Sequence, residues 1–524
     1  MPKNVPDDDD PLARALRPPP DETPAARAVR QAREADARRV SQAIDDAIRA
    51  ERQANKKKKI VRVLLLGQSE SGKSTTLRQF QRLYTPSAFR SELVHWRAII
   101  QLNLIRSIHT ILAALNANAN ANSGPTHSPA PSRSLAWDGD DFDVPDDDAY
   151  LSDPASSVRP SLAPSASPSA PTSDTDDGPP LDLAALALRL LPLRHAEAFL
   201  RAQLVPPAED EAADLGHGLP GHAHAPSHHS SFSSSSSASA SSAGKEVFVR
   251  PGRWRASFWK RGGVRACAAG AGAEEDEPQR VIWRCREDMM RLWASRRVRR
   301  VLKAKKVRLE EESGFFLDDL PRLTECNYVP TEDDVLRARL KTIGVSEYKF
   351  QMEAGPQSGS EWRIVDVGGS RFQRPTWAPF FDDVDAIIFL APISCFDQVL
   401  AEDAKVNRLE DSVLLWKAVC SNKLLAHVDL VLFLNKCDLL ARKLAGGTRL
   451  ARYVRSYADR ANDVETAGKY FRGKFSAIQR TYSPAPRKFY GFCTSVTDTV
   501  TTSGILVSVR DIVLRQNLRQ SKLV

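Results

Sequence analysis

Gly67-Gln68-Ser69-Glu70-Ser71-Gly72-Lys73-Ser74-Thr75 is the stretch on which the reading of this 524-residue chain turns. Ile60-Val61-Arg62-Val63-Leu64-Leu65-Leu66 precedes it, an apolar, β-branched run of the kind a buried strand shows, and Thr76 to Leu83 follows with apolar residues at helical spacing. Strand, glycine-bounded turn and helix start are the context in which G-x-x-x-x-G-K-[ST] cradles phosphate. Successive backbone N–H groups point inward there, and the helix N-terminus adds partial positive charge. Lys73 is expected to reach the β- and γ-phosphates, and the Ser74 hydroxyl to join a magnesium shell. The stretch predicts a nucleoside-triphosphate site.

Two further stretches sit at strand ends. Trp362 to Val367 reads as a strand leading into Gly368-Gly369; the Asp366 carboxylate can hold magnesium through water, and the Gly369 N–H can approach a γ-phosphate unhindered. Val431 to Leu434 is a buried-strand run that delivers Asn435-Lys436-Cys437-Asp438 at its carboxyl end, where α/β sheets bind ligands. A carboxylate there accepts both the N1–H and the N2 amine of guanine, a pattern adenine lacks. In this order the three motifs point to guanine, and an ATP-specific reading leaves Asn435 and Asp438 without a task.

The length allows two or three domains, and 34 prolines with long Ser/Ala tracts mean that part of the chain is not packed. No apolar run is expected to span a bilayer. Met1-Pro2-Lys3-Asn4 offers neither a signal-peptide core nor a Gly at position 2, so neither secretion nor myristoylation is expected. Seven scattered cysteines without a C-x-x-C pair suit free thiols in a reducing compartment. A net charge of +9 fits the anionic cytoplasmic leaflet as well as nucleic acid. The expected location is the cytoplasm or the cytoplasmic face of the plasma membrane.

Residues 1–23 are acidic and proline-rich, an expected disordered tail. Thr23-Pro24 then caps a helix over 24–58, with Val40, Ile44 and Ala47/Ile48 on one thin apolar stripe. The pattern leaves open a partner surface or a solvated charged helix. Lys56 to Lys59 close it with a basic cluster worth about 1 kcal/mol per charge near anionic lipid. Phe89 to Leu115 reads as one long helix, and Leu181 to Leu204 and Val281 to about Leu309 as further helices. Residues 116–180 and 206–244 read as disordered insertions. The second insertion holds His217, His222, His224, His228 and His229 without a Cys or carboxylate frame to fix a metal geometry. For the basic, aromatic segment 247–260, packing beside the helices or a protein partner is preferred to nucleic-acid stacking. Strands return beyond Pro330, so an all-helical stretch interrupts an α/β domain.

These motifs resemble those of the α subunits of heterotrimeric G proteins. Gly67 to Thr75 resembles the family's G-A-G-E-S-G-K-S-T loop, Asp334 to Thr342 its first switch, and Asp366 to Trp377 its second. Leu400 to Asp403, Asn435 to Asp438 and Thr494 to Thr499 match later stretches. The resemblance covers about 25–115, 181–204 and 281–524. It implies a Ras-like P-loop GTPase domain, an α/β fold with a mixed, mostly parallel six-stranded sheet, in segments 59–85 and 336–524, interrupted by an all-α domain over 86–335. It also implies a guanine-nucleotide switch that hydrolyses GTP with Mg²⁺ and couples a G-protein-coupled receptor and βγ subunits to an effector, without nucleic acid. The N-terminal helix resembles the βγ-docking element, and the end, Leu518 to Val524, the receptor-contacting tail.

Residue by residue, the resemblance implies nucleotide contacts from Glu70, Ser71, Gly72, Lys73, Ser74, Thr75, Leu336, Arg337, Arg339, Asp366, Gly369, Asn435, Lys436, Asp438 and Val496. Ser74 and Thr342 would ligate magnesium, with Asp366 acting through water. Arg339 matches the built-in arginine finger, a role worth about 10³-fold or more. Arg371, Arg374 and Trp377 match residues that order the second switch. The departures cluster where hydrolysis happens: Ser370 replaces the glutamine that orients the attacking water, Ser69 replaces a glycine, and Val496 replaces the small alanine along the guanine ring. Ser521 stands where some members carry a modifiable cysteine, which leaves membrane attachment to the basic N-terminal segment. With Lys73 and Arg339 retained as catalytic groups, a slow GTPase is expected; the alternative is a hydrolysis-deficient, GTP-occupied binding module released by exchange.

Overall fold

The computed structural model describes residues 23–57, 60–122, 182–204, 248–249, 277–342, 344–351, 361–382 and 384–520. The expected disordered tail and insertions lie outside them, except for Thr23 and 116–122. So do the histidine group and most of 247–260.

Two compact units divide between Ile60 and Val61. The first contains helix α1 (Pro24–Lys57). Val29, Val40 and Ile44 are exposed on it, and near-neighbour ion pairs such as Arg30–Glu34 at 2.8 Å lace its surface.

The second unit contains a six-stranded sheet in the order β4-β5-β1-β6-β7-β8. The strands are β1 (Ile60–Leu66), β4 (Val345–Gln351), β5 (Glu361–Val367), β6 (Ala386–Pro392), β7 (Asp429–Asn435) and β8 (Tyr490–Cys493). β4 runs antiparallel to β5, and the β1–β6, β6–β7 and β7–β8 pairs are parallel. The central strands are nearly continuous apolar runs because both faces are covered. Period-two alternation divides them: Leu64, Leu66, Ile387, Phe389, Leu430 and Leu432 enter one core, while Val63, Leu65, Ile388, Leu390, Val431 and Phe433 enter the other. The first core is closed by helices Arg408–Ser421, Cys437–Ala445 and Val464–Tyr482, and the second by Lys73–Tyr84 and Thr499–Gln520. This arrangement brings the carboxyl ends of β1, β6 and β7 to one edge, Leu66 opposite Phe389 and Pro392 opposite Asn435.

A third core is built entirely from residues between Phe89 and Ala338 and holds the helical insertion together. Its centre is Trp96–Asn122, packed by Pro192–Leu204 and Glu277–Ala294. Several helices differ from the sequence expectation. The helix expected over 89–115 is divided by a 3₁₀ turn at Leu93–His95, and it continues through 116–122, whose Asn/Ala run lacks Gly or Pro to stop it. The helix expected over 181–204 breaks before Pro192, which cannot donate to the preceding turn. The one expected from Val281 begins earlier, at Glu277, and is interrupted at Ser295, whose hydroxyl accepts from Val298 N at 3.5 Å to cap Arg296–Ala304. Contrary to expectation, the helical stretch Pro86–Ala117 is long and apolar enough to cross a membrane; 72% of its most apolar window is buried inside the protein, as in a core helix. A two-residue ladder pairs β2 (Phe248–Val249) in parallel with β3 (Lys341–Thr342).

Candidate functional site

The loop between β1 and helix Lys73–Tyr84 forms one wall of a cavity. Gly72, the helix N-cap, has φ 104°, and a Cβ there would meet Asn435 Nδ2 at 2.4 Å. Lys73 Nζ curls back to donate to Gly67 O at 2.9 Å and Gln68 O at 2.8 Å. Burial pushes its ammonium down to about 8, although Asp366 pulls the other way.

Opposite stand the strand ends that carry Thr342 and Asp366. Ser74 Oγ donates to Asp366 Oδ2 at 2.6 Å and lies 3.1 Å from Thr342 Oγ1, which itself reaches Asp366 Oδ2 at 3.3 Å. Asp366 Oδ1 is buried without a partner among the described residues, and burial raises the carboxyl despite Lys73. The Ser74 and Thr342 hydroxyls gathered on Asp366 Oδ2, with the carboxylate's other oxygen left unsatisfied, form a hard-oxygen donor set that fits a small divalent cation such as Mg²⁺. Gly369 presses on the loop: a Cβ there would lie 2.5 Å from both Lys73 Nζ and Ser69 N. Ser370 is buried beside it, and among the described residues its hydroxyl has no hydrogen-bond partner.

Arg339 also lines the cavity, and its Nη2 lies 2.6 Å from Glu70 Oε1. Glu70 takes a left-handed φ of 59°. Burial disfavours its charge, but Arg339, Arg408 and Lys436 outweigh burial and hold the carboxyl at about 2. Leu336 and Arg337 face elsewhere: Leu336 is buried, and Arg337 donates to Phe315 O at 2.9 Å and Asp319 Oδ2 at 2.7 Å. Ser71 and Thr75 line the cavity.

At the end of β7, Asn435 ties two loops together. Its Nδ2 donates to Ser71 O at 2.7 Å, and its Oδ1 accepts from Val496 N at 3.2 Å. Lys436 takes φ 65° at the N-cap of Cys437–Ala445, and burial lowers its ammonium. Asp438 is exposed, 3.6 Å from Arg442, while Val496 is buried. In the second switch Arg374 forks onto Asp411, Arg371 reaches Asp403 at 3.1 Å, and Trp377 Nε1 donates to Gly368 O at 3.0 Å.

Four residues of the site escaped sequence reasoning. Gln68, at the alanine position of the loop motif, is wholly buried and donates to Arg408 O at 2.7 Å and Ser412 Oγ at 2.8 Å. Arg408 donates to Ser69 O at 2.8 Å. Arg78 lies 4.3 Å above the Trp96 ring and donates to Val335 O at 2.6 Å and Ala338 O at 2.8 Å, which positions the chain before Arg339. Gln373 lines the cavity. Only Gln68 gave a signal, its departure from the motif.

Fold and site define a Ras-like P-loop GTPase domain with a helical insertion. A family model described as "G-protein alpha subunit" matches residues 38–513, and the chain belongs to that family. It is 32% identical to the guanine nucleotide-binding protein alpha-4 subunit of Mycosarcoma maydis, over 98% of this chain and 96% of that protein. It is 35% identical to the alpha-7 subunit of Caenorhabditis elegans over 44% of this chain and 63% of that protein. For the G(o) subunit alpha of Geodia cydonium the figures are 34%, 42% and 60%. Members of this family bind guanine nucleotides and are generally GTPases.

Proposed function

We propose that this protein is a Mg²⁺-dependent GTP/GDP switch that hydrolyses GTP slowly and couples a G-protein-coupled receptor and βγ subunits to an effector. The convergence of Ser74, Thr342 and Asp366 beside Lys73 and Arg339 carries this reading. Segments 59–85 and 336–524 form the nucleotide domain, 86–335 the helical domain, and 24–58 faces βγ subunits or the anionic cytoplasmic membrane.

In this reading the loop N–H groups and Lys73 hold the β- and γ-phosphates, Arg339 neutralises charge on the transferring phosphoryl group, and the Gly369 N–H senses it. Asp438, with Asn435 holding the loop, selects guanine. Ser74, Thr342 and Asp366 would hold Mg²⁺, which would supply neutralisation of the phosphates' negative charge. Ser370 stops too short to orient water, a loss of about 10²-fold, or about 2.7 kcal/mol. The substitution at Ser370, with Ser69 in place of the family's glycine, also supports a second reading, a hydrolysis-deficient, GTP-occupied module released by exchange.

Purified protein should bind GTP in preference to ATP, and Lys73→Ala should abolish binding. Equal uptake of adenine nucleotides would sink the proposal. Single-turnover hydrolysis at the magnesium-only background rate would select the second reading.

A further inference from the structure

The geometry points to Gln373 as the catalytic residue that orients the attacking water, in place of a side chain at position 370. This inference rests on the proposed GTPase reading. Gln373 N donates to Ser370 O at 3.0 Å, which closes a 3₁₀ turn that begins right after Ser370 and folds the glutamine back over Gly368. There its amide occupies the volume a side chain at 368 would need: a Cβ on Gly368 would sit 1.5 Å from Gln373 Oε1 and 2.6 Å from Cδ. The backbone under it is pinned, because Trp377 Nε1 donates to Gly368 O at 3.0 Å and Gly368 N donates to Gly344 O at 2.9 Å.

Gln373 is 8% exposed and lines the same cavity as Lys73, Ser74, Arg339, Thr342 and Gly369. Among the described residues its side-chain amide has no hydrogen-bond partner, and neither amide atom is fully buried, so both are open to water. An unbonded, water-accessible amide beside a phosphate-type cradle has one acceptor and two donors available for water. Ser370 has neither the reach nor a second polar atom.

In the step this serves, the amide oxygen accepts a hydrogen bond from water and its NH₂ donates to the γ-phosphoryl oxygens. The water oxygen bonds to the γ-phosphorus, and the bond from that phosphorus to the β–γ bridging oxygen breaks. GDP leaves with the bridging electron pair, and the water's proton ends on the phosphate. The amide is neutral throughout and keeps its protons.

The test uses the full chain and three readouts: binding of the slowly hydrolysed analogue GTPγS, single-turnover GTP hydrolysis, and thermal unfolding. Gln373→Leu keeps the side chain's bulk and removes its hydrogen bonding. It should bind GTPγS within threefold of wild type, melt within a few degrees of it, and hydrolyse GTP about tenfold or more slowly. Adding Ser370→Gln to that variant should restore hydrolysis, because an amide returns to the cavity from the neighbouring turn. If Gln373→Leu melts early, Gln373→Met repeats the measurement with an unbranched chain of the same length. Hydrolysis within twofold of wild type in a variant that binds GTPγS normally overturns the assignment and leaves the nucleotide site standing. Wild-type protein that ignores GTPγS overturns the nucleotide reading itself, and the two failures are distinct.

Discussion

Arg339 Nη2 lies 2.6 Å from Glu70 Oε1, and the other carboxylate oxygen lies 3.4 Å from Arg408 Nη1. One left-handed loop residue thus links the segment leaving the helical insertion to the helix that follows β6. The carboxylate sets the direction of Arg339 across the mouth of the cavity.

Glu70→Ala should therefore loosen the mouth. Both members of the Glu70–Arg339 pair are about three-quarters buried, and such a pair contributes about 1 kcal/mol. Release of a fluorescent GDP should speed up about fivefold, read by stopped flow. An unchanged release rate would remove the link from the mechanism.

Asp334 caps the helix that leads into Arg339. Arg322 holds its carboxylate at 2.6 and 2.8 Å, and Thr331 N donates to it at 2.9 Å. Burial raises the carboxyl, but these bonds prevail and bring it to about 2 from an ordinary 3.8. A depressed carboxylate contributes stability that is complete above the unfolded value and fades as pH falls from about 4 through 2. Asp334→Asn should cost about 2 kcal/mol at pH 7, and its deficit against wild type in urea titrations should shrink at pH 3. A pH-independent deficit would contradict the assignment.

Gln68 couples the loop to helix Arg408–Ser421. Gln68→Ala should lose about 2–3 kcal/mol, since it removes buried volume and two donated bonds. A double-mutant cycle with Ser412→Ala should return a coupling of about 1 kcal/mol. Strict additivity would show that the 2.8 Å contact carries no energy.

Lys443 joins the sheet side to the helical insertion. Its Nζ is 2.6 Å from Asp397, 2.7 Å from Glu311 and 2.7 Å from Ser394 O, and the side chain is 7% exposed. Lys443→Met leaves two buried carboxylates short of a partner and should cost about 3 kcal/mol in denaturant titration. A loss below about 0.5 kcal/mol would mean that Arg308, which also contacts both carboxylates, compensates fully.

Much of this fold was legible because short motifs specify their own backbone. A strand, a glycine turn and a helix start are local, so Gly67–Thr75 declares its geometry without reference to the rest. Asp366 and Asn435 were readable for the same reason, each at the end of an apolar run. What stayed hidden depends on partners far away in sequence. Gln68 meets Ser412 across 344 positions, and no periodicity encodes that meeting. Gln373 looks like any polar residue of a switch until its turn folds it onto Gly368. The apolar helix is legible over 89–115 from its spacing, whereas 116–122 reads as low-complexity insertion by composition and is helical only as the continuation of that element.

That helix has a consequence for biosynthesis. Pro192–Leu204, which packs on it, begins 70 residues after Asn122, and Glu277–Ala294 about 150 after, so at ribosomal speeds of about 5–20 residues per second its greasy face waits roughly 4–14 s for its first cover and roughly 8–30 s for its second. The nascent chain is thus a natural client for chaperones. The intervening insertions, whatever else they do, set the length of that wait.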